Sequence, residues 1–381
     1  MMLALKAGSL PPRVLISAAI LLLGLANLNA GTIPPIQTVF IILLENESWD
    51  EVKGNTNAPY LNNTLLPIAS RCEGYHNVTN LHPSLPNYLW LEAGTNFGIL
   101  DNDDPVSNHQ NTTNHFVTLL KNAGISWRTY QEDIDGASIP LTNRNGYAVR
   151  HNPFVYFDDV TGTNDPAYAY GISHVRPYSE FAADLTNNTV ARYNFLKPNV
   201  CNDGHDSCPP YYDQVRQIDV WLAAQVPKIL SSQAYSNNGA LFITWDESHL
   251  ADPRIGMIVL SPFARGNGYK NTIYYTHSST LRTFQEIFDV GPFLGDAANA
   301  TDLSDLFIQF EIHQLVKMPS GAIHISAVGI TPGRTNIVEA STDLKAWSPI
   351  STNVSASRTF ATVDTNAVSM EQRFYRLLQL P

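Results

Sequence analysis

The hydrophobic residues of this chain fall into short continuous runs that predict the strands of a sheet. The clearest run covers residues 38–44, and it stops abruptly at Glu45 and Asn46. A continuous apolar run of this length is typical of a strand that is buried on both faces, as in a parallel sheet. Further strands are predicted at 240–245 and 256–261, with weaker candidates at 126–130 and 193–196.

Two segments between these runs carry apolar residues with the 3.6-residue period of a helix. The first covers about 213–230, with an earlier end at Pro227 as the alternative, because proline lacks the backbone N–H. The second helix follows Ser278 or Ser279, either of which is a suitable N-cap. Strands that alternate with helices predict an α/β fold, with a mostly parallel sheet covered by helices. The polar segment 135–168 is predicted to be a loop around that sheet.

The hydrophobic pattern changes near residues 318–321, which read Met-Pro-Ser-Gly. Beyond this point, apolar and polar residues alternate, and the runs are separated by Gly, Pro, Asn and Asp. This is the pattern of antiparallel strands joined by turns. We therefore predict a small all-β module at 318–381, near the lower size limit for independent folding, after an α/β domain at 31–317.

The first thirty residues have the pattern of an export signal. Lys6 and Arg13 are the only charged residues there, and they are followed by an apolar run at 14–26 and small residues near Ala30. The apolar run is too short to span a bilayer comfortably. We therefore expect a signal peptide at 1–30 that is cleaved near Ala30, with an uncleaved anchor as the alternative. The protein is accordingly expected to be secreted, periplasmic or attached to the cell surface.

The charge balance restricts the class of partner. The chain has a formal net charge of −11, and removal of Lys6 and Arg13 changes it to −13. A surface of this charge repels nucleic acid, so no nucleic-acid binding is expected. An anionic substrate would need a local positive charge in its binding site. The leading candidate for that charge is a metal ion.

The three cysteines fit an exported protein. Cys201 and Cys208 enclose a six-residue segment, and a disulfide between them would close a tight loop in an oxidising compartment. Cys72 is left over, and we expect it to be a buried free thiol. The sequence contains no C-x-x-C pair, so a structural zinc site is not expected.

Clusters of polar residues lie where the predicted strands end. Each cluster on its own has a structural explanation, such as a turn, a helix cap or a core histidine. Adjacent carboxylates at a strand end are nevertheless costly to bury unless they are solvated, paired or bound to a metal. Parallel strands also bring their carboxyl ends to the same edge of a sheet. The residues concerned are Glu45, Asn46, His82, Ser84, Asp203, His205, Asp206, Asp246, Glu247, His249 and His277.

Taken together, these residue types suit metal-assisted phosphoryl transfer. Coordination to a cation would lower the pKa of the Ser84 hydroxyl, and a covalent phosphoserine would divide one difficult displacement into two easier ones. His205 and His277 could donate hydrogen bonds to the phosphoryl oxygens, where charge lies in the transition state. An oxygen-rich cage for a hard divalent cation would consist of Glu45, Asn46, Asp246 and Glu247.

Six motifs in order resemble those of the phosphoesterase family of secreted acid phosphatases and non-haemolytic phospholipases C, within the alkaline phosphatase superfamily. They are ENESWDEV, HPSLPNYLWLEAGT, NDGHDSC, TWDESH, SPFAR and YTHSSTLRTFQEIF, and the resemblance covers about 36–316. It implies an alkaline phosphatase-like fold and Ser84 as a metal-bound nucleophile. It also implies that His205 and His277 line the phosphate site, with His82 or Asp203 in support. The metal ligands that it implies are Glu45, Asn46, Asp246 and Glu247.

Two departures from the phospholipase pattern favour the phosphatase branch. Phospholipase-like members carry D-E-H followed by glycines, whereas this chain has Asp-Glu-Ser-His at 246–249, and it is short for such a phospholipase. The expected substrate is therefore a small phosphomonoester, and the expected cofactor is a divalent cation, with Ca, Mg, Mn and Zn all open. The alternative is a phospholipase C, which alone would require membrane contact. The aromatic segment 152–157 is a candidate surface for that contact, although such a run is more often core.

Two other classes of function fit the sequence less well. A serine hydrolase of acyl esters is disfavoured because the chain lacks a G-x-S-x-G motif. A non-catalytic surface-binding protein, with the β module as its anchor, is disfavoured because the full set of metal-ligand and nucleophile residue types is present.

Overall fold

The computed structural model describes residues 3–6, 33–249, 253–308, 310–330 and 333–380. These residues form two compact units. The first unit is Pro35–Phe307, and the second starts at Ile308 and also contains residues 3–6. Within the described ranges, no helix has both the length and the apolar character needed to cross a membrane.

The described part of the chain contains fifteen strands. Their bounds are β1 (Leu3–Lys6), β2 (Thr38–Leu44), β3 (Ser70–Cys72), β4 (Trp127–Gln131), β5 (Val175–Pro177), β6 (Tyr193–Lys197), β7 (Gly239–Trp245), β8 (Met257–Leu260), β9 (Lys270–Asn271), β10 (Glu311–Lys317), β11 (Ile323–Val328), β12 (Thr335–Ser341), β13 (Ser348–Val354), β14 (Phe360–Asp364) and β15 (Gln372–Gln379).

The α-helices of the first unit are mostly short. They are α1 (Trp49–Val52), α2 (Leu66–Ile68), α3 (Ser84–Ala93), α4 (Pro105–Asn108), α5 (Phe116–Asn122), α6 (Asp158–Thr161), α7 (Ala169–His174), α8 (Phe181–Asn187), α9 (Gln214–Leu230), α10 (Gln233–Ser236) and α11 (His277–Phe288). Single π or 3₁₀ turns occur at Leu61–Leu65, Val149–His151, Pro153–Tyr156, Tyr178–Glu180, Gly295–Ala298, Ser304–Leu306 and Thr365–Ser369.

An eight-stranded mixed sheet forms the centre of the first unit, in the order β5-β4-β6-β2-β7-β8-β3-β9. Strand β2 pairs in parallel with both β6 and β7, whereas β8 runs antiparallel to β7 and β3. The α/β prediction with a mostly parallel, helix-covered sheet is therefore confirmed. All five predicted strands are present, as β2, β4, β6, β7 and β8. Every residue of β7 is buried, which explains its uninterrupted apolar sequence.

Both predicted helices are present. Helix α9 continues past Pro227 to Leu230, as predicted, so the alternative early end at Pro227 does not occur. A proline in the last turn removes only one backbone hydrogen bond, and the buried side chains of Val226 and Ile229 hold that turn against the core. Helix α11 begins at His277, and its cap is Thr276 rather than either predicted serine.

The segment 135–168 is not a simple polar loop. It contains α6 and two 3₁₀ turns, and the side chains of Phe154 to Phe157 are all fully buried. This aromatic run therefore belongs to the core of the first unit. It offers no exposed aromatic surface for contact with a membrane.

The cysteines are arranged as predicted. Cys201 and Cys208 form a disulfide across the short loop after β6, with their Cα atoms 5.6 Å apart. Cys72 is a buried free thiol at the end of β3. Burial raises the pKa of the Cys72 thiol to about 12, so the thiol stays protonated and unreactive.

The second unit is built from two antiparallel sheets, β10-β11-β14 and β1-β15-β12-β13. Its core includes the fully buried side chains of Ile325, Val338 and Tyr375. Strand β10 pairs with β11, so this unit starts at Ile308 and not at the predicted residue 318. Most of the predicted signal peptide lies outside the described residues. The part that is described, residues 3–6, forms β1 and pairs with β15.

Candidate functional site

The carboxyl ends of the central strands bring three acidic residues together. The backbone N–H of Glu45, just after β2, donates to the carbonyl of Asp203 at 2.9 Å. The N–H of Asp246, just after β7, donates to the carbonyl of Leu44 at 3.0 Å. All three carboxylic side chains are fully buried. Adjacent parallel strands thus place Glu45 and Asp246 side by side, as the sequence pattern predicted.

Helix α3 carries a second set of polar side chains that contact the acidic residues at the strand ends. Its first residue, Ser84, donates from Oγ to Oε2 of Glu45 at 3.1 Å and is almost fully buried. Tyr88 donates from its hydroxyl to Oε1 of the same carboxylate, and Nδ2 of Asn87 donates to Oε2 of Glu247 at 3.0 Å. Positions 84, 87 and 88 share one helix face because residues three and four apart lie over one another.

A buried network fixes the other end of α3. Oε1 of Glu92 accepts from the backbone N–H of Val117 at 2.8 Å and lies 3.0 Å from Nδ1 of His115. The second ring nitrogen of His115 lies 2.9 Å from Oδ1 of Asp159. Burial disfavours the imidazolium, but the hydrogen bonds to Asp159 and Glu92 outweigh it and raise the pKa of His115. The helix that carries Ser84 is therefore held by contacts at both ends.

The predicted metal ligands form an oxygen-rich cluster with unsatisfied atoms. The backbone N–H of Asn46 donates to Oδ1 of Asp246 at 3.2 Å. Oδ1 of Asn46 and Oδ2 of Asp246 are buried and have no hydrogen-bond partner among the described residues. Burial, together with the Glu45 and Glu247 carboxylates, raises the pKa of Asp246 well above its usual range. Burial and Glu45 likewise raise the pKa of Glu247 to about 8. Buried oxygen atoms that lack donors, beside carboxylates that lack counter-charge, fit a divalent cation.

The two histidines that flank this cluster contact its ligands. Nδ1 of His82 lies 2.7 Å from Oε2 of Glu247, and about half of the His82 side chain is exposed. His277 is fully buried, with Nε2 2.6 Å from the main-chain oxygen of Asp246 and Nδ1 3.1 Å from the Tyr75 hydroxyl. Burial lowers the pKa of His277 to about 4, so its ring is neutral. Both of its nitrogens are thus engaged within the protein, and His277 orients the Asp246 backbone.

Two buried residues complete the site, although the sequence analysis did not identify them. Nζ of Lys197 lies 2.8 Å from Oδ2 of Asp203 and 3.3 Å from Oε1 of Glu45. His151 stands between the same two carboxylates, 3.3 Å from each. Burial and the Lys197 charge lower the pKa of His151. Although burial favours the neutral acid at Glu45, nearby charges, including Lys197, hold its pKa below the usual range.

A signal for one of these two residues was present in the sequence. Lys197 directly follows the predicted strand at 193–196. It is therefore a polar residue at a strand end, as are Glu45 and Asp246, which the sequence analysis did select. His151 lies within a segment that was assigned as loop, and its local sequence carries no such signal.

His205 lies at the opening of the site with further positive charge beside it. Its Nδ1 is 2.7 Å from Oδ1 of Asp206, and its Nε2 is 3.0 Å from Nη2 of Arg150. Ligand atoms of Glu45, His151 and His205 lie within 4.8 Å of one another, a spacing that could also hold a metal. Arg150 and Lys197 already supply positive charge there, so this side of Glu45 is better suited to an anion.

An open cleft of about 690 Å³ adjoins the site. Asn46 and His205 line it together with Glu47, and His249 lies at its rim, paired with Glu51 at 3.3 Å rather than with the oxygen cluster. Burial, together with the carboxylates of Glu51 and Asp213, raises the pKa of Glu47 to about 8. The cleft gives a small molecule access to the polar groups at the strand ends.

Comparison with known proteins identifies the family. A phosphatidylinositol-3-phosphatase of Mycobacterium tuberculosis is 28% identical over 282 residues, which cover 74% of this chain and 86% of that protein. A probable acid phosphatase of Kluyveromyces lactis is 29% identical over 287 residues, which cover 70% of this chain and 64% of that protein. A solved alkaline phosphatase superfamily protein from Vibrio parahaemolyticus is similar in structure, with a TM-score of 0.46, 11% identity, and coverage of 85% of this chain and 84% of that chain.

The profile of the Phosphoesterase family matches residues 69–291, which is more than half of the chain. The matched region contains Ser84, Asp203 and Asp246. The chain belongs to the Phosphoesterase family and is a hydrolase of phosphoric esters.

Proposed function

We propose that this protein is a phosphatase that hydrolyses phosphomonoesters with Ser84 as its nucleophile. The observation that carries this proposal is the buried Ser84 hydroxyl, 3.1 Å from Glu45 and next to oxygen atoms that lack partners. Both curated relatives described above are phosphatases by name, which supports a monoester substrate. The departures of the sequence from the phospholipase pattern point in the same direction.

The proposed reaction has two steps. Ser84 loses its hydroxyl proton and its oxygen forms a bond to phosphorus while the ester P–O bond breaks, and the leaving oxygen takes up a proton to give the alcohol. Water then attacks the phosphoserine, releases inorganic phosphate and restores the Ser84 hydroxyl. Glu45 orients the hydroxyl by accepting its hydrogen bond. A divalent cation, when bound, lowers the pKa of the hydroxyl and offsets the charge of the phosphoryl group.

The ligands that we propose for that cation are Glu45, Asn46, Asp246 and Glu247. Positioning roles follow from the contacts around them. His82 and Asn87 orient Glu247, and His277 orients the backbone of Asp246. Asp203 holds Lys197, whose ammonium group offsets the charge of Glu45.

Basic groups are available for the phosphoryl oxygens on the other side of Glu45. His205 lines the cleft and Arg150 contacts His205, and the Nε atom of Arg150 is buried and has no hydrogen-bond partner among the described residues. Guanidinium groups form strong hydrogen bonds with phosphate oxygens. Because His205 accepts from Arg150, a phosphoryl group that draws Arg150 away would free Nε2 of His205.

We also propose that the protein is exported. The apolar segment near the N-terminus is the sequence basis of this proposal. The Cys201–Cys208 disulfide supports it, because such bonds persist mainly in oxidising compartments.

Soluble phosphomonoesters are expected to be hydrolysed faster than phosphatidylcholine. The mature chain is strongly acidic, and the aromatic run at 154–157 that could have formed a membrane-contacting patch is buried in the core. The test compares kcat/KM for a small aryl phosphate with kcat/KM for short-chain and micellar phosphatidylcholine, at the same pH and metal concentration. A clear advantage for the lipid would replace the phosphatase proposal with a phospholipase C.

Removal of the second unit is expected to leave hydrolysis of soluble substrates largely unchanged. A chain that ends after Phe307 retains every proposed site residue and all eight strands of the mixed sheet. A chain that ends after Lys317 is the informative comparison, because it leaves β10 without its partner β11 and exposes an unpaired strand edge. Both chains are tested for solubility, circular dichroism and kcat/KM on an aryl phosphate. Loss of activity in the folded shorter chain would show that the second unit is needed for catalysis.

A further inference from the structure

One carboxyl group of the cleft has no role in the proposed reaction. The side chain of Glu47 is more than nine-tenths buried, and it lines the cleft beside Asn46. It forms neither a hydrogen bond nor an ion pair with any residue in the described part of the chain. Burial of a carboxylate without a partner is costly, so a positively charged group bound in the cleft would stabilise the ionised form of this side chain.

Two further carboxylates face Glu47 across the cleft and also lack a strong cationic partner. Oδ1 of Asp213 accepts from the N–H of Arg216 at 2.7 Å, and its Oδ2 accepts from Nδ2 of Asn57 at 2.6 Å. Both of these donors are neutral. Among the described residues, the basic group paired with Glu51 is the exposed His249, at 3.3 Å. Asp213 and Glu51 therefore leave acidic groups in the cleft beside Glu47 that a bound cation could offset.

Two basic side chains on the acidic side of the cleft are paired with other carboxylates. Lys53, which lines the cleft, lies 2.8 Å from Oε2 of Glu73. Arg254 lies 2.7 Å from Oδ2 of Asp50, and so it offsets the fourth acidic residue of the cleft wall. These pairs do not offset the charges of Glu47, Glu51 and Asp213.

The size of the cleft favours an organic cation over a bare metal ion. A space of about 690 Å³ is within the range that small organic ligands occupy.

An aromatic side chain adds a second feature that attracts organic cations. Tyr212 lines the same cleft, and about two thirds of its side chain is exposed. Cations bind over aromatic faces, and the recognition of quaternary ammonium groups commonly uses this interaction.

We propose that the cleft binds a leaving group that carries a positive charge, such as an amino alcohol or a quaternary ammonium alcohol. This inference rests on the proposed phosphomonoesterase activity and specifies its substrate class. The phosphoryl group would lie at Ser84, and the cationic end of the alcohol would extend past Asn46 and His205 to Glu47. Hydrolysis breaks the bond between phosphorus and the ester oxygen, so the cationic end leaves unchanged with the alcohol.

The test uses two substrates of the same shape, phosphocholine and 3,3-dimethylbutyl phosphate, which carries carbon in place of the charged nitrogen. Wild-type protein is expected to show a ratio of kcat/KM of at least about tenfold in favour of phosphocholine, which corresponds to about 1.4 kcal/mol. Glu47→Gln is expected to bring this ratio close to one. The ratio cancels any general effect of the substitution on catalysis.

The matched control is a Glu→Gln substitution at a residue outside the cleft. Glu180 pairs with Arg176 and does not line the cleft, so Glu180→Gln is expected to keep the wild-type ratio. A wild-type ratio near one, or an equal ratio in Glu47→Gln, would overturn the inference while the phosphatase proposal stands.

A binding measurement keeps the inference testable if neither substrate is hydrolysed. Calorimetric titration with choline alone requires no turnover. Wild-type protein is expected to bind choline at least about tenfold more tightly than Glu47→Gln does, with 3,3-dimethylbutanol as the neutral reference. Equal affinities for choline in the two proteins would reject the cationic subsite, whatever the reaction proves to be.

Discussion

Ser84→Ala is expected to reduce phosphomonoester hydrolysis by at least about a thousandfold, because it removes the proposed nucleophile. The hydroxyl is the only group lost, and the helix that carries it is fixed by Asn87, Tyr88 and Glu92. The variant should therefore fold normally. The measurements are kcat and KM with an aryl phosphate, together with the midpoint of thermal unfolding.

Two controls separate loss of the nucleophile from damage to the site. Ser84→Thr retains a hydroxyl at the same position, and it should retain far more activity than the alanine variant. Metal content should be similar in both variants, because Glu45, Asn46, Asp246 and Glu247 all remain and Ser84 contributes only a neutral hydroxyl to the cation. Near wild-type turnover by a folded Ser84→Ala protein would mean that another group attacks phosphorus.

Asp246→Asn is expected to weaken binding of the divalent cation by at least about a hundredfold. Mutation of a residue that only hydrogen-bonds to a metal ligand already lowers metal affinity by about 10- to 100-fold, and loss of a charged ligand should cost at least as much. The substitution keeps the shape and removes the charge of a fully buried carboxylate. Activity should fall in parallel, because the proposed reaction needs the cation. The measurements are metal per chain after equilibration with limiting metal, and kcat/KM as a function of metal concentration.

Asp246→Asn is expected to weaken metal binding but not to destabilise the protein when no cation is bound. Without a cation, burial and the neighbouring carboxylates of Glu45 and Glu247 raise the pKa of Asp246, because its ionised form is unfavourable there. Asparagine cannot ionise and avoids this cost, so metal-free Asp246→Asn should be at least as stable as the metal-free wild type. A chelator should thus lower the melting temperature of the wild type but scarcely affect that of the variant.

The control for this experiment is Asp135→Asn, in which the substituted side chain is largely exposed and pairs with Arg144. It should bind metal as the wild type does. Unchanged metal content together with unchanged activity in Asp246→Asn would reject the proposed ligand set.

Local sequence patterns were sufficient to predict the sheet and one half of the candidate site. Strands β2 and β7 were recognisable from continuous apolar runs, and polar residues followed each of them directly. Since parallel neighbours end at the same edge, the proximity of Glu45 and Asp246 followed from topology alone. Ser84 was identified by its motif, and its helix then determined which side chains accompany it.

The other half of the site depends on long-range packing. Lys197 ends β6, whereas Arg150 and His151 belong to the 3₁₀ turn Val149–His151, and these residues meet around Glu45 and His205 only because the chain folds. The inward orientation of His277 likewise depends on Tyr75 and on the backbone of Asp246, which are distant in sequence.

The sequence by itself thus determined the fold class, the main strands and the residue types of the oxygen cluster, because these follow from hydrophobic periodicity and from the direction of adjacent strands. The tertiary structure alone decided which charges are paired and which are not. Pairing depends on distances of a few ångströms between side chains such as Lys197 and Asp203, or Lys53 and Glu73, and no local pattern encodes them. The unpaired carboxyl of Glu47 became visible for the same reason, since a missing partner can be recognised only when every neighbour is in place.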